Sequence, residues 1–218
     1  MSLFNKLKKS SSIIRNHNSR GTALSLHISG ATGIFNVLLA AFKIITGVLA
    51  LSIFICMNGL YTLGMVTSRY CALVGELKQK KEDQFRLFYF ATYIMFIASL
   101  LYIAYSVWTI WHAHSMHFDQ NVAIIIATVT FTEIGWNIYG IIKYRHDHSV
   151  AVQLIKIINL GTAIISLELT QAALLGMSGV HNPSYNGVLG VIVGCIAALL
   201  ACFMYRQVKS KEQSNNEE

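Results

Sequence analysis

The sequence predicts an all-α fold: a polytopic membrane protein of six transmembrane helices. Three observations predict it. Apolar residues make up 54% of the 218 residues and charged residues only 12%, about half the charged share of an ordinary soluble domain. Mean hydropathy is +0.51. Several apolar runs approach or exceed the ~20 residues a helix needs to cross a bilayer.

The chain opens on a polar, basic arm, residues 1–27, with Lys6, Lys8, Lys9, Arg15 and Arg20 and no acidic residue. No short apolar region ends in a small-residue cleavage site, so an uncleaved cytoplasmic arm is expected. The apolar run from about Ser29 to Leu73 is long enough for two helices, and the break is expected near Gly47–Ser52. Further spans are expected at about Leu87–Ile110, Val122–Ile142, Leu154–Leu175 and Val188–Tyr205. Residues 28–205 thus read as one membrane domain, and residues 206–218 as a short polar cytoplasmic tail. A single proline, Pro183, and the lack of a Pro- or Ser-rich linker agree with one domain.

Loop charge orients the bundle. With six spans, the basic residues of the N-terminal arm, of the stretch from Arg69 to Arg86, of Lys143 and Arg145, and of the tail after Tyr205 all fall on one side. The other three loops hold no lysine or arginine, while Lys43 and Lys156 lie inside apolar segments. Cytoplasmic loops retain such charge, so both termini are expected in the cytoplasm and the protein in the cell membrane. The net charge of +7 then reflects topology, and no nucleic-acid motif accompanies it. The lipid bilayer is the expected partner.

In the last span Gly187, Gly190, Gly194, Ala197, Ala198 and Ala201 recur at spacings of three and four, which gathers small residues on one helix face. Such a face can serve close packing within the fold or a homodimer. The four cysteines, Cys56, Cys71, Cys195 and Cys202, lie in or at the ends of apolar segments without metal-type spacing and read as small buried residues.

Ionisable groups inside apolar spans are costly and are candidates for function. Lys43, Glu133 and Glu168 stand out, and Lys156 lies near enough to a span end to snorkel. Each glutamate reads as a proton relay or cation contact, or as a buried carboxylate that is neutral or paired with Lys43 or a tyrosine hydroxyl. Histidines cluster at His112, His114 and His117 with Asp119, and at His146 and His148 around Asp147. Neutral imidazole and carboxylate suit zinc, but spacings of this kind are common in interfacial loops. There is no nucleophile elbow, phosphate-binding glycine loop or HExxH, so neither an enzyme nor a cofactor is expected.

The run KIITGVLALSIFICMNGLYT places Lys43, Gly47 and Ser52 at fixed offsets and leads to Asn58; GWNIYGIIKYR carries Asn137; and HSVAVQLIKIINLGTAIISL carries Asn159. In these stretches, over roughly residues 28–205, the chain resembles the transmembrane domain of the cation diffusion facilitators, proton-coupled exporters of zinc and related divalent cations. That family reads K-L-x-x-G and then S-L-A-L-L-A-D-A-L-H-S through its first two helices, often carries asparagine in helix four, and reads S-P-A-L-x-A-D-A-x-H-x-x-x-D in helix five.

The resemblance implies a central site between helices two and five. At its positions this chain offers Asn58, Tyr61, Thr62 and Met65, and Ile158, Asn159 and Thr162, with no carboxylate or histidine. Amides and hydroxyls do not replace the ligands that a desolvated divalent cation needs. Val150 stands where the family has proline, and the family's cytoplasmic C-terminal domain is expected to be absent. The expectation is a divergent member that binds no metal and acts as an accessory, regulatory or altered-substrate protein. Two alternatives remain open. One is an active cation/proton antiporter with a site relocated to Glu133, Glu168, Asn58 and Asn159. The other is an unrelated six-span protein. The unrelated six-span reading predicts that Asn58 and Asn159 do not face each other at mid-membrane; if they do, the exporter scaffold is supported.

Overall fold

The structure, a computed structural model, describes residues 20–49, 52–112, 120–143, 149–177 and 183–216. These form six helices: α1 (Arg20–Leu49), α2 (Ile53–Glu76), α3 (Lys81–His112), α4 (Gln120–Lys143), α5 (Val150–Met177) and α6 (Pro183–Asn216). No strand occurs among the described residues.

The break between the first two helices falls where glycine and serine put it. The Ser52 amide donates to the Gly47 carbonyl at 2.8 Å. Ser52 then caps α2 with an extended backbone, and its hydroxyl accepts from the Ile55 amide at 3.4 Å, relieving an N–H that has no partner within the helix. A Cβ on Gly47 would lie 2.7 Å from the Cys56 backbone nitrogen and 2.6 Å from its Sγ. Gly47 is therefore what lets α1 and α2 close on each other. Gly47→Ala is expected to destabilise by about 1–3 kcal/mol through overpacking against backbone. Gly135→Ala, with nothing within 4 Å of the added carbon, is expected to be neutral or slightly stabilising. Thermal midpoints of the two purified variants in one detergent check both.

The helices pack as two triplets. In one, α2 sits between α1 and α3; in the other, α5 sits between α4 and α6; α2 packs on α5, and α3 on α6. The α3–α6 pair depends on the small-residue face of α6. Carbons added at Gly187 and Gly194 would each lie within 2.7 Å of a side chain of α3, Ile110 and Ile103 respectively. That face is thus filled by α3 within the chain, and Ala197 and Ala201 are fully buried with it.

Both helices of this pair are longer than the spans read from sequence. At 32 and 34 residues they reach about 48–51 Å. The stretch read as a polar tail continues α6 to Asn216. It is held to α3 by Tyr89 donating to Glu212 at 2.6 Å and Lys81 donating to Asn215 at 2.9 Å.

Three segments, Lys81–His112, Val150–Ala172 and Asn186–Asn215, are long and apolar enough to cross a membrane, and Asn36–Leu49 and Ala123–Tyr139 are shorter apolar stretches. In α2 the apolar pattern is diluted by Asn58, Thr62, Ser68 and Arg69, all of them buried. Outward positions carry large apolar side chains such as Leu38, Leu60, Ile97, Leu101, Leu167 and Leu199. An apolar exterior around polar interior positions is the distribution suited to a hydrocarbon solvent. The main apolar core joins α2, α3, α5 and α6 around Met65, Phe88, Met95, Ile158 and Met204. A smaller one joins α2, α4 and α5 around Phe54, Ile55, Ile126 and Leu169.

Candidate functional site: a buried polar ladder

The central feature is an ion pair. Lys43 of α1 and Glu133 of α4 meet at 2.7 Å, with their side chains 3% and 0% exposed. The Lys43 ammonium also donates toward the Thr62 hydroxyl at 3.4 Å and the Ser166 hydroxyl at 3.5 Å. Ser166 in turn donates to the same Glu133 oxygen at 2.7 Å. Four helices therefore converge on one ion pair. Charges taken out of water are tolerated best when they are paired and hydrogen-bonded; here Oε2 of Glu133 accepts from Lys43 of α1 and Ser166 of α5, while Oε1 has no donor among the described residues.

The pattern on α5 follows helical spacing. Asn159, Thr162, Ser166 and Thr170 recur at three and four, giving a polar stripe on an otherwise apolar helix. Thr170 meets Thr130 of α4, and Ser166 meets Glu133, so α4 and α5 are joined by hydroxyls. Thr62 and Thr162 each also donate to the carbonyl four residues back, at 2.9 Å.

Toward the end of the bundle where α5 begins, Arg69 is buried in α2 at 1% exposure. It donates to the side-chain amide oxygen of Asn159. With the Asn36 amide turned oxygen-inward, Asn36 accepts from both terminal guanidinium nitrogens at 3.0 and 3.2 Å. Arg69 corrects the sequence reading, which counted it with the cytoplasmic loop charges. It belongs to the interior, because α2 runs on to Glu76 and turns Arg69 onto the same inward face as Thr62 and Met65.

Toward the opposite end lies Glu168, also buried. The Tyr102 hydroxyl of α3 donates to its Oε2 at 2.9 Å. Glu168 is two residues beyond Ser166, so it points about 200° around α5 from it, away from Glu133. The two glutamates thus have separate partners on separate faces.

Of the residues read from sequence as a site, Lys43 and Glu133 come together, with Thr62 beside them. Asn58 and Asn159 bond elsewhere. Asn58 donates to the Ile165 carbonyl at 3.4 Å, whereas Asn159 accepts from Arg69. These levels differ by six residues on α5, about 9 Å, so the two asparagines do not face each other, which is the arrangement expected of an unrelated six-span protein. The antiparallel run of α2 against α5 sets these levels. Asn137 is buried one turn from Glu133, and its Nδ2 lacks an acceptor among the described residues. Lys156 is half-buried near the start of α5. Tyr61 and Met65, from the same position set, pack in the main core.

His112 stacks on Trp108 at the end of α3, with ring centroids 5.3 Å apart. His114, His117 and Asp119, and the second cluster of His146, Asp147 and His148, lie outside the described residues. Among the described residues no three His, Cys, Asp or Glu side chains gather to hold a metal ion. Sequence reasoning missed Arg69, Asn36, Ser166 and Tyr102. The serine and threonine spacing of α5 was the signal available for Ser166. Nothing in the local sequence marks Tyr102.

Comparison with known protein families finds no family that matches the chain, and comparison with curated proteins finds no match.

Proposed function

We propose that the chain is a six-span protein of the cell membrane, with both termini cytoplasmic, whose helix bundle works without a divalent metal ion. Its role is that of an accessory, regulatory or altered-substrate protein. One observation carries this reading: the Lys43 ammonium sits 2.7 Å from Glu133, in the place a cation would take on that carboxylate. The lysine supplies the compensating charge from within the chain. A divalent ion would have to displace it and would then find hydroxyls and amides as its other ligands, a poor set for zinc.

The membrane part of the proposal rests on the three long apolar helices, the apolar exterior and the one-sided loop charge. The resemblance in Lys43, Gly47 and Ser52, with the hairpin built on Gly47 and Ser52, speaks for an exporter-like scaffold, whereas the separate levels of Asn58 and Asn159 speak for an unrelated six-span protein.

Transport assays test the proposal. Purified protein reconstituted in liposomes is expected to give no uptake of zinc, manganese or cobalt above protein-free liposomes. Uptake that is lost in Glu133→Gln or Glu168→Gln would overturn the metal-free reading in favour of a relocated cation site.

A further inference from the structure

The oxygen cluster around Glu168 is separate from the Lys43–Glu133 pair that carries the proposal above. It draws on three helices. Glu168 and the carbonyl of Ile165 come from α5, Tyr102 and Ser106 from α3, and Asn58 from α2. The Gly190 backbone of α6 closes over it. A Cβ at Gly190 would lie 2.7 Å from Glu168 Oε1 and 2.4 Å from Ser106 Oγ, so α6 presses directly on the carboxylate and leaves no room for a side chain there.

Donors and acceptors do not balance in this cluster. The Tyr102 hydroxyl donates to Glu168 Oε2 at 2.9 Å. The Ser106 hydroxyl donates to the Tyr102 carbonyl at 2.8 Å. Asn58 Nδ2 donates to the Ile165 carbonyl at 3.4 Å and stands beside the Tyr102 hydroxyl. Each side-chain donor is therefore engaged. Asn58 Oδ1, in a side chain that is fully buried, has no donor among the described residues. A tyrosine or serine hydroxyl brings one proton and an ionised carboxylate brings none, so the cluster holds more acceptors than protons.

Among the described residues no basic side chain makes up the difference. Among the described residues the ion pair is Lys43–Glu133, and none involves Glu168. The groups around Glu168 are Tyr102, which bonds it, Ser106, which lies with it against the Gly190 backbone of α6, Tyr105 nearby on α3, and Asn58 of α2, which stands beside the Tyr102 hydroxyl. Tyr61 of α2 packs on the Tyr102 ring, with centroids 5.4 Å apart. None of these carries a positive charge.

We infer that Glu168, with Tyr102, Ser106 and Asn58, forms an exchangeable site for a small monovalent cation, a proton or a sodium ion. Either supplies the single positive charge that one carboxylate balances, and neutral oxygens complete the shell. A divalent cation would leave one charge uncompensated in the apolar interior. Binding a proton forms an O–H bond on the carboxyl; binding sodium forms oxygen contacts only. No other group is oxidised or transferred.

Infrared difference spectroscopy on the full chain in liposomes tests the site. The wild type is expected to show a protonated-carboxyl C=O band that rises and falls with pH. That band is expected to be lost in Glu168→Gln, retained in Glu168→Asp, and shifted in frequency in Tyr102→Phe. Replacing choline chloride by sodium chloride separates the two ions: suppression of the band by sodium shows that sodium occupies the site, and indifference shows that the proton does. A wild type without a titrating band that is also unresponsive to sodium overturns the inference, as does a band that survives in Glu168→Gln. If Glu168→Gln does not fold, an unshifted band in Tyr102→Phe overturns it. Zinc uptake that survives in Glu168→Gln would defeat the metal-free reading and leave this site intact, whereas zinc uptake lost in Glu168→Gln would overturn both.

Discussion

Lys43→Met is expected to destabilise the protein by about 3–5 kcal/mol, because it leaves the Glu133 carboxylate buried without its counter-charge. Glu133 is fully buried, and its Oε1 already lacks a donor among the described residues. After the substitution, Ser166 alone would remain on Oε2. Much of the loss is expected to return in the double variant Lys43→Met, Glu133→Met, since removing both charges leaves no stranded ion, and well-packed apolar replacements of buried pairs are often neutral or better. Denaturation midpoints for the wild type, the two single variants and the double variant give the coupling energy directly. The cost is expected to change little between low and high salt, because a pair without solvent contact is poorly screened. A single-variant cost below about 1 kcal/mol, the range of exposed pairs, would show that the pair is open to water.

The second large effect is expected at Arg69→Met, at about 3 kcal/mol. Two buried amide oxygens, on Asn36 and Asn159, lose their guanidinium donors together, and an unsatisfied buried acceptor costs roughly 1–3 kcal/mol. Arg69→Lys is expected to recover only a minor part, because a single ammonium lacks the planar fork that serves two amides on different helices. Adding Asn36→Leu and Asn159→Leu to Arg69→Met is expected to recover more. The same denaturation series measures this. Arg69 also lies within electrostatic reach of Glu133, so the Arg69 and Lys43 effects are expected to be non-additive.

Much of the architecture was legible along the chain. Six helices follow from six apolar runs, and the α1–α2 turn from Gly47 and Ser52. The small-residue face of α6 announced a close contact at Gly187, Gly190 and Gly194. Whether that contact lay within the chain or between copies needed the fold, because spacing identifies a face but not what covers it. Helix ends were less legible. The polar stretch after Tyr205 reads as a tail by hydropathy, yet α6 continues through it because Tyr89 and Lys81 of α3 bond Glu212 and Asn215.

The candidate site divides in the same way. That Lys43, Glu133 and Glu168 stand in apolar surroundings can be read from sequence alone, because hydropathy is a local property. Their partners cannot, since ninety residues separate Lys43 from Glu133 and sixty-six separate Tyr102 from Glu168. Arg69 illustrates the limit. In sequence it adjoins a basic loop and counts as orientation charge, while in the fold it is an interior donor to two amides. Composition and periodicity determined an all-α chain of apolar helices with a few ionisable residues inside them. Tertiary structure decided which charge meets which, because pairing depends on how α1, α2, α4 and α5 are set against one another in rotation and height. A shift of one residue turns a side chain by about 100°, and no local pattern records that register.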